Sequence, residues 1–159
     1  MAFYIIISYN YLSINNYIKY KRIYLLMGNY QSISKINYEK INEVVYNISD
    51  KYLLLNTLNI DQQKCLIYNT LIYTEEEHMV NKYLTENKSI YIIIYGLNYC
   101  DETIYNKYIQ LLKLGFDNVH IYPGGIFEWL LLQDIYGDDM FKTTSKELDI
   151  LKYKPTNSF

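Results

Sequence analysis

Three observations in the sequence predict an α/β fold with a central parallel sheet. The run Ser89–Tyr95 is unbroken apolar and aromatic with β-branched weight, the composition of a strand buried on both faces. From Ile90 to Leu132 the chain alternates strand, loop, helix, strand, tight turn and helix, the order that layers helices over a parallel sheet. Upstream, an apolar run at 51–56 followed by a helical pattern at 73–86 repeats the alternation. With 159 residues, one domain with a substantial core is expected.

The elements follow in order. Residues 1–33 are expected to be a weakly ordered extension. The apolar start Met1–Ile7 is too short to span a bilayer, and Lys19, Lys21 and Arg22 come too late for a signal peptide. The domain proper is placed at 34–152. A helix starts near Asn37, with Ile41, Val44 and Val45 on one face. Lys51–Asn56 is a strand. Tyr73–Glu86 is a helix, with Thr74 as N-cap and Glu77 three residues on, in a capping-box pattern. Glu75 and Glu76 suit its first turn, and Met79, Val80, Tyr83 and Leu84 form its buried face. His78 among Glu75, Glu76 and Glu77 reads as a solvated face rather than a metal site.

After the strand ending at Tyr95, a six-residue connection, Gly96-Leu97-Asn98-Tyr99-Cys100-Asp101, leads into a helix from about Glu102 to Leu114, stopped by Gly115. Asn118–Tyr122 is the next strand. Pro123-Gly124-Gly125 turns the chain into a helix running from Ile126 to about Ile135, with Trp129 in the core. Tyr136–Asp139 breaks it, Thr144–Leu151 is expected to form a short helix, and 153–159 a disordered tail.

Composition excludes several classes. Net charge is −2, so no pull toward nucleic acid is expected. The 21 Tyr accompany scarce Gly, Pro, Arg and Ala, a trade that an AT-rich genome produces by codon bias alone. The two cysteines, Cys65 and Cys100, lie far apart with no Cys-x-x-Cys. Neither a disulfide framework nor a zinc site is expected, and the cytoplasm is the default compartment. Met27-Gly28-Asn29-Tyr30-Gln31-Ser32 matches the myristoylation pattern, so Gly28 would be a lipidation site if translation began at Met27. Membrane association is expected only in that case.

Ile92 to Leu130 resembles the C-terminal half of a rhodanese-like domain. The pieces that carry the resemblance are Tyr95-Gly96, Leu114-Gly115-Phe116, Asn118-Val119 and Gly124-Gly125-Ile126-Phe127-Glu128-Trp129. The resemblance implies a three-layer sandwich with a parallel sheet of about five strands. Similar proteins occur in large AT-rich DNA viruses, which would place this one in host cytoplasm or a virus particle. The family ends its first strand in an Asp with an Arg nearby, and those places hold Asn56 and Leu58. Cys65–Thr70 stands where the family has Gly-His-Ile-Pro-Gly-Ala, with only Ile67 kept.

The same resemblance places the family's nucleophilic Cys at Gly96. Sulfur transfer needs a thiolate there, cradled by loop N–H groups and a helix N-terminus. Glycine offers no nucleophile. The sequence therefore predicts a domain without sulfurtransferase activity, acting as a binding or regulatory module. The expected binding loop is Gly96, Leu97, Asn98, Tyr99, Cys100 and Asp101, open to a small anion or a protein partner, with no cofactor and no metal. Asp101 is expected to cap the helix, and Asn98 and Tyr99 to shape the rim. The alternative is a sulfurtransferase or thiol-redox enzyme using Cys100. Asp101 and Glu102 weigh against it, since they raise a thiol pKa and repel anionic donors. Phosphatase chemistry is disfavoured, because related phosphatases need both Cys and Arg in this loop. His120 reads as a sheet histidine with no Ser, Cys or carboxylate placed to make it a base.

Overall fold

A computed structural model describes residues 33–46 and 52–156, and the unit discussed below begins at Ser34. The reading of 1–33 as an extension, and of Gly28 as an acylation site, falls on residues 1–32, outside the described residues.

Three parallel strands form the sheet in the order β1-β2-β3: β1 is Tyr52–Asn56, β2 is Tyr91–Tyr95 and β3 is Val119–Tyr122. Among the described residues four α-helices accompany them: α1 is Tyr38–Tyr46, α2 is Tyr73–Glu86, α3 is Thr103–Leu114 and α4 is Gly125–Tyr136. Strand alternation sorts the core into two layers. Leu54, Ile93, Tyr95 and Tyr122 pack with Ile41, Val44 and Val45 of α1 and Ile126, Trp129 and Leu130 of α4. Leu53, Leu55, Ile92, Ile94, Val119 and Ile121 pack with Val80 of α2 and Ile104, Tyr108 and Leu111 of α3. Every residue of Ile92–Ile94 is fully buried, as a run apolar on both faces requires. Each such side chain contributes roughly 1.5–3 kcal/mol relative to exposure.

The expected five strands are not all formed. On the outer side of β1 stands a single parallel bridge, Leu54 to Thr70, and on the outer side of β3 another, Lys35 to Ile121. Each outer segment is cut short. Asn69, at φ +65°, bends the chain just before Thr70, and α2 starts three residues after Thr70. Ser34–Ile36 pairs only with Ile121 before the chain turns into α1.

The helix boundaries have local causes. Gly115 caps α3 at φ +99°, with its N–H on the Leu111 and Leu112 carbonyls, a left-handed stop that a Cβ disfavours. At α2 the expected capping box is absent. Ile72 holds the cap position without a side-chain bond, and Thr74 lies inside the first turn. Glu76, expected on the solvated face, is buried and ion-paired with Lys107 of α3, while His78 is exposed.

No α-helix forms at Thr144–Leu151. Thr143 instead bridges Ile67, Thr144 N–H donates to the Leu66 carbonyl at 2.8 Å, and Leu66 N–H donates to Thr144 Oγ1 at 3.0 Å. Short polar side chains offer the backbone such partners in place of helix. Tyr153, expected to open a loose tail, is 1% exposed and closes a 3₁₀ turn at Ile150–Tyr153.

Tyr95 ties the layers together. Its fully buried hydroxyl accepts from Ile67 N–H at 3.2 Å and shares a 2.8 Å hydrogen bond with Thr70 Oγ1, and burial raises its pKa above the ordinary phenol value. Tyr95→Phe strands the Ile67 N–H in the core, so a loss of about 1–3 kcal/mol is expected, read as a lower urea midpoint at unchanged m-value.

Candidate functional site

The sheet register places Asn56, Tyr95 and Tyr122 side by side in its last row. In-register parallel partners point the same way, so this is a polar row in the layer shared with α1 and α4. Asn56 Oδ1 accepts from Leu58 N–H at 3.1 Å, while its buried Nδ2 has no partner among the described residues. Tyr122 Oη is likewise buried without a hydrogen bond of ordinary geometry. Burial first, and the Glu128 carboxylate second, raise its pKa.

The loop Gly96–Asp101 leaves the end of β2, next to this row. Two N–H groups at the start of α4 hold it: Ile126 N–H donates to the Gly96 carbonyl at 2.9 Å and Phe127 N–H to the Leu97 carbonyl at 3.0 Å. Gly125, at φ +64°, is what permits this approach. A Cβ there would stand 2.6 Å from the Gly96 oxygen and 2.7 Å from the Leu97 carbonyl carbon and oxygen.

Inside the loop the carboxylate of Asp101 is central. Its Oδ2 accepts from Leu97 N–H at 2.8 Å. Its Oδ1 accepts from Thr103 N–H at 2.9 Å and from Thr103 Oγ1 at 2.5 Å. The cap position of α3 falls on Glu102, one residue past the expected Asp101, and carries no side-chain bond; Asp101 instead accepts from the first helical N–H and also reaches back across the loop. A Cβ added to Gly96 would fall on Asp101 Oδ2, with Asp101 Cγ and Ile104 Cγ2 each 2.9 Å away. The space a side chain at 96 would need is filled by this carboxylate. Two further loop donors are engaged, with Asp101 N–H on the Asn98 carbonyl and Cys100 N–H on Asn98 Oδ1, each at 3.0 Å.

Cys100 is free and exposed. The Leu97, Cys100 and Asp101 N–H groups of the loop turn to Asp101 and Asn98 rather than to its sulfur. Beside it, Tyr99 is 66% exposed, and its contact with Cys100 raises the Tyr99 pKa. Tyr99, expected on the rim, thus projects into solvent. Asn98 does not: it is buried, and its Nδ2 donates to the Tyr153 carbonyl at 2.7 Å. That bond fastens the loop to the C-terminal 3₁₀ turn.

His120 departs from expectation. Ser34 Oγ lies 2.6 Å from His120 Nδ1, across 86 positions of chain that no local pattern connects. Asn118 Oδ1 lies 2.9 Å from Nε2. Among the described residues no group of three or more His, Cys, Asp or Glu is arranged to hold a metal ion, and no helix is long and apolar enough to cross a membrane.

No protein-family model matches the chain, and no curated protein matches it in sequence. Solved structures do. The Alr3790 protein from Anabaena superposes with TM-score 0.51 at 18% identity, covering 74% of this chain and 86% of its own. The BH2092 protein from Bacillus halodurans gives TM-score 0.52 at 13% identity, covering 79% of this chain and 84% of its own. A Rhodanese_3 like domain of the same Anabaena Alr3790 protein superposes more loosely, with TM-score 0.43 at 21% identity over 59% of this chain and 99% of its own. The chain shares an α/β fold with the Alr3790 and BH2092 proteins, the first of which contains the domain described as Rhodanese_3 like.

Proposed function

We propose that this chain is a binding or regulatory domain on a rhodanese-like scaffold and does not carry out sulfur transfer. One observation carries the reading: Asp101 fills the loop from within. Its carboxylate takes the Leu97 and Thr103 N–H groups that would otherwise stabilise a bound anion or a persulfide. It also stands where a side chain at position 96 would begin. A loop already holding its own anion has little left to offer a second one, so the partner we favour is a protein rather than a small anion.

Exposed apolar side chains around the loop support that choice. Tyr99, Leu151 and Ile60 are 66%, 62% and 68% exposed. They sit on three segments joined through Tyr153, whose carbonyl accepts from Asn98 Nδ2 and whose hydroxyl donates to the Gln62 carbonyl at 3.4 Å. Amphipathic and apolar side chains of this kind anchor interfaces. The polar rim charge at Glu102 fits a partner with complementary basic groups.

The second reading, a sulfurtransferase or thiol-redox enzyme working through Cys100, rests on the accessibility of that thiol. A thiosulfate-to-cyanide transfer assay separates the two. The wild-type chain and Cys100→Ser are expected to show the same absence of turnover above buffer. Turnover in the wild type that disappears in Cys100→Ser overturns the proposal in favour of the thiol enzyme.

A further inference from the structure

We propose that Ser34, His120 and Asn118 form an acyl-transfer site, separate from the loop, in which Ser34 is the nucleophile and His120 its base. The argument starts from hydrogen-bond directions. Asn118 Nδ2 donates to the Ser89 carbonyl at 3.2 Å, which leaves Oδ1 as the atom facing His120 Nε2 at 2.9 Å. Because Oδ1 only accepts, Nε2 must carry the ring proton. Nδ1 is then the free lone pair, and the 2.6 Å contact makes Ser34 the donor to it. This is the order that an activated hydroxyl requires: nucleophile to base, base to a third group that fixes its tautomer.

The surroundings hold that order in place. Tyr91 stacks on the imidazole with ring centroids 4.2 Å apart and 20° between planes. The Ser34 carbonyl accepts from Ile121 N–H, and Ile36 N–H donates to the Ile121 carbonyl, each at 2.9 Å, so the serine is fixed to the edge of the sheet. In this parallel pairing the Lys35 N–H turns away from β3. The N–H of the residue after a nucleophile is a recurrent oxyanion donor. Burial, and then the charge of Lys40, hold the His120 pKa below its ordinary value, which keeps the ring in its basic form at neutral pH.

The step is an addition and elimination at an acyl carbon. Ser34 Oγ bonds to the carbonyl carbon of an ester or thioester while its proton passes to His120 Nδ1. The tetrahedral adduct collapses by breaking the bond to the alkoxide or thiolate, which leaves with that proton. Water then repeats the sequence on acyl-Ser34 and releases the acid. The substrate class is an acyl ester or thioester, whose alkoxide or thiolate leaves the tetrahedral adduct more readily than an amine does. In this arrangement Asn118 is a positioning residue.

The test uses p-nitrophenyl acetate on the full chain, with nitrophenolate release followed by absorbance and the acetylated residue mapped by peptide mass spectrometry. The expected result is acetyl on Ser34, formed roughly 100-fold or more slowly in His120→Gln, as loss of a general base predicts. Asn118→Ala is expected to slow acetylation and Asn118→Asp, which keeps an acceptor at Nε2, to recover it. Ser34 left unmodified overturns the proposal, and so does equal modification of Ser34 in wild type and His120→Gln. Circular dichroism checks each variant. If His120→Gln does not fold, the Asn118 pair decides: slowing with recovery supports the site, and unchanged rates overturn it.

Discussion

Gly125→Ala is expected to cost about 3 to 4 kcal/mol, the largest single-substitution effect proposed for this fold. Two terms add. A Cβ at φ +64° meets the left-handed penalty of about 1–2 kcal/mol. It also drives into the backbone at 2.6–2.7 Å, at the Gly96 and Leu97 carbonyls, where overpacking adds about 1–3 kcal/mol. These are backbone atoms, so no rotamer change relieves them. The loop must move off α4 and give up the Ile126 and Phe127 hydrogen bonds. Thermal unfolding is expected to fall by about 10 °C. A change of only a degree or two would mean that the loop does not lie against the Gly-Gly turn.

Gly96→Cys has the next largest effect, and its direction runs against simple reasoning. Supplying a thiol at this position is expected to destabilise the chain by about 2 to 3 kcal/mol and to give no thiosulfate transfer. The new side chain displaces the Asp101 carboxylate and so breaks its bonds to Leu97 N–H, Thr103 N–H and Thr103 Oγ1. Hydrogen bonds to a charged group contribute roughly 1.5–3 kcal/mol. It also presses on Ile104 Cγ2. Adding Asp101→Gly to Gly96→Cys is expected to recover part of the stability, because the space is then free. Thermal melts of the two variants, with thiosulfate transfer measured on each, check both halves. Restored activity in Gly96→Cys alone would show that the carboxylate yields its place readily.

The part of the fold that was legible in the sequence is the part fixed by strong periodicity. Ile90–Tyr95 gave a strand, formed at Tyr91–Tyr95, because every position is apolar or aromatic, and α2 came out at Tyr73–Glu86 because its apolar positions recur with helical spacing. Gly115 marked the end of α3 because a glycine after a Leu-rich turn has one common use. What was not legible depends on contacts between distant segments. Nothing near Thr144 reveals that it will pair with Leu66, nor does anything near Ser34 reveal His120. The outer strands shrank to single bridges because neighbouring turns and helix starts took their residues, which a count of apolar runs does not register. Tyr153 looked like tail because its neighbours are polar, yet one aromatic side chain suffices to anchor a 3₁₀ turn.

At the loop, the sequence showed that Gly96 carries no thiol and that Asp101 precedes a helix. It did not show that the two facts are one arrangement. A capping aspartate normally bonds backbone N–H groups two or three residues ahead. Here its second oxygen also reaches back to Leu97, and only the closed loop brings that donor within range.

Amide chemical shifts of Leu97 and Thr103 during a titration with inorganic thiosulfate measure this arrangement most directly. In the wild-type chain both amides are expected to stay unmoved, since each already donates to Asp101, whereas in Asp101→Ala they are expected to shift saturably as the anion takes the vacated place. Saturable shifts at both amides in the wild type would contradict the account, because they would mean that the loop opens to an outside anion with its own carboxylate present.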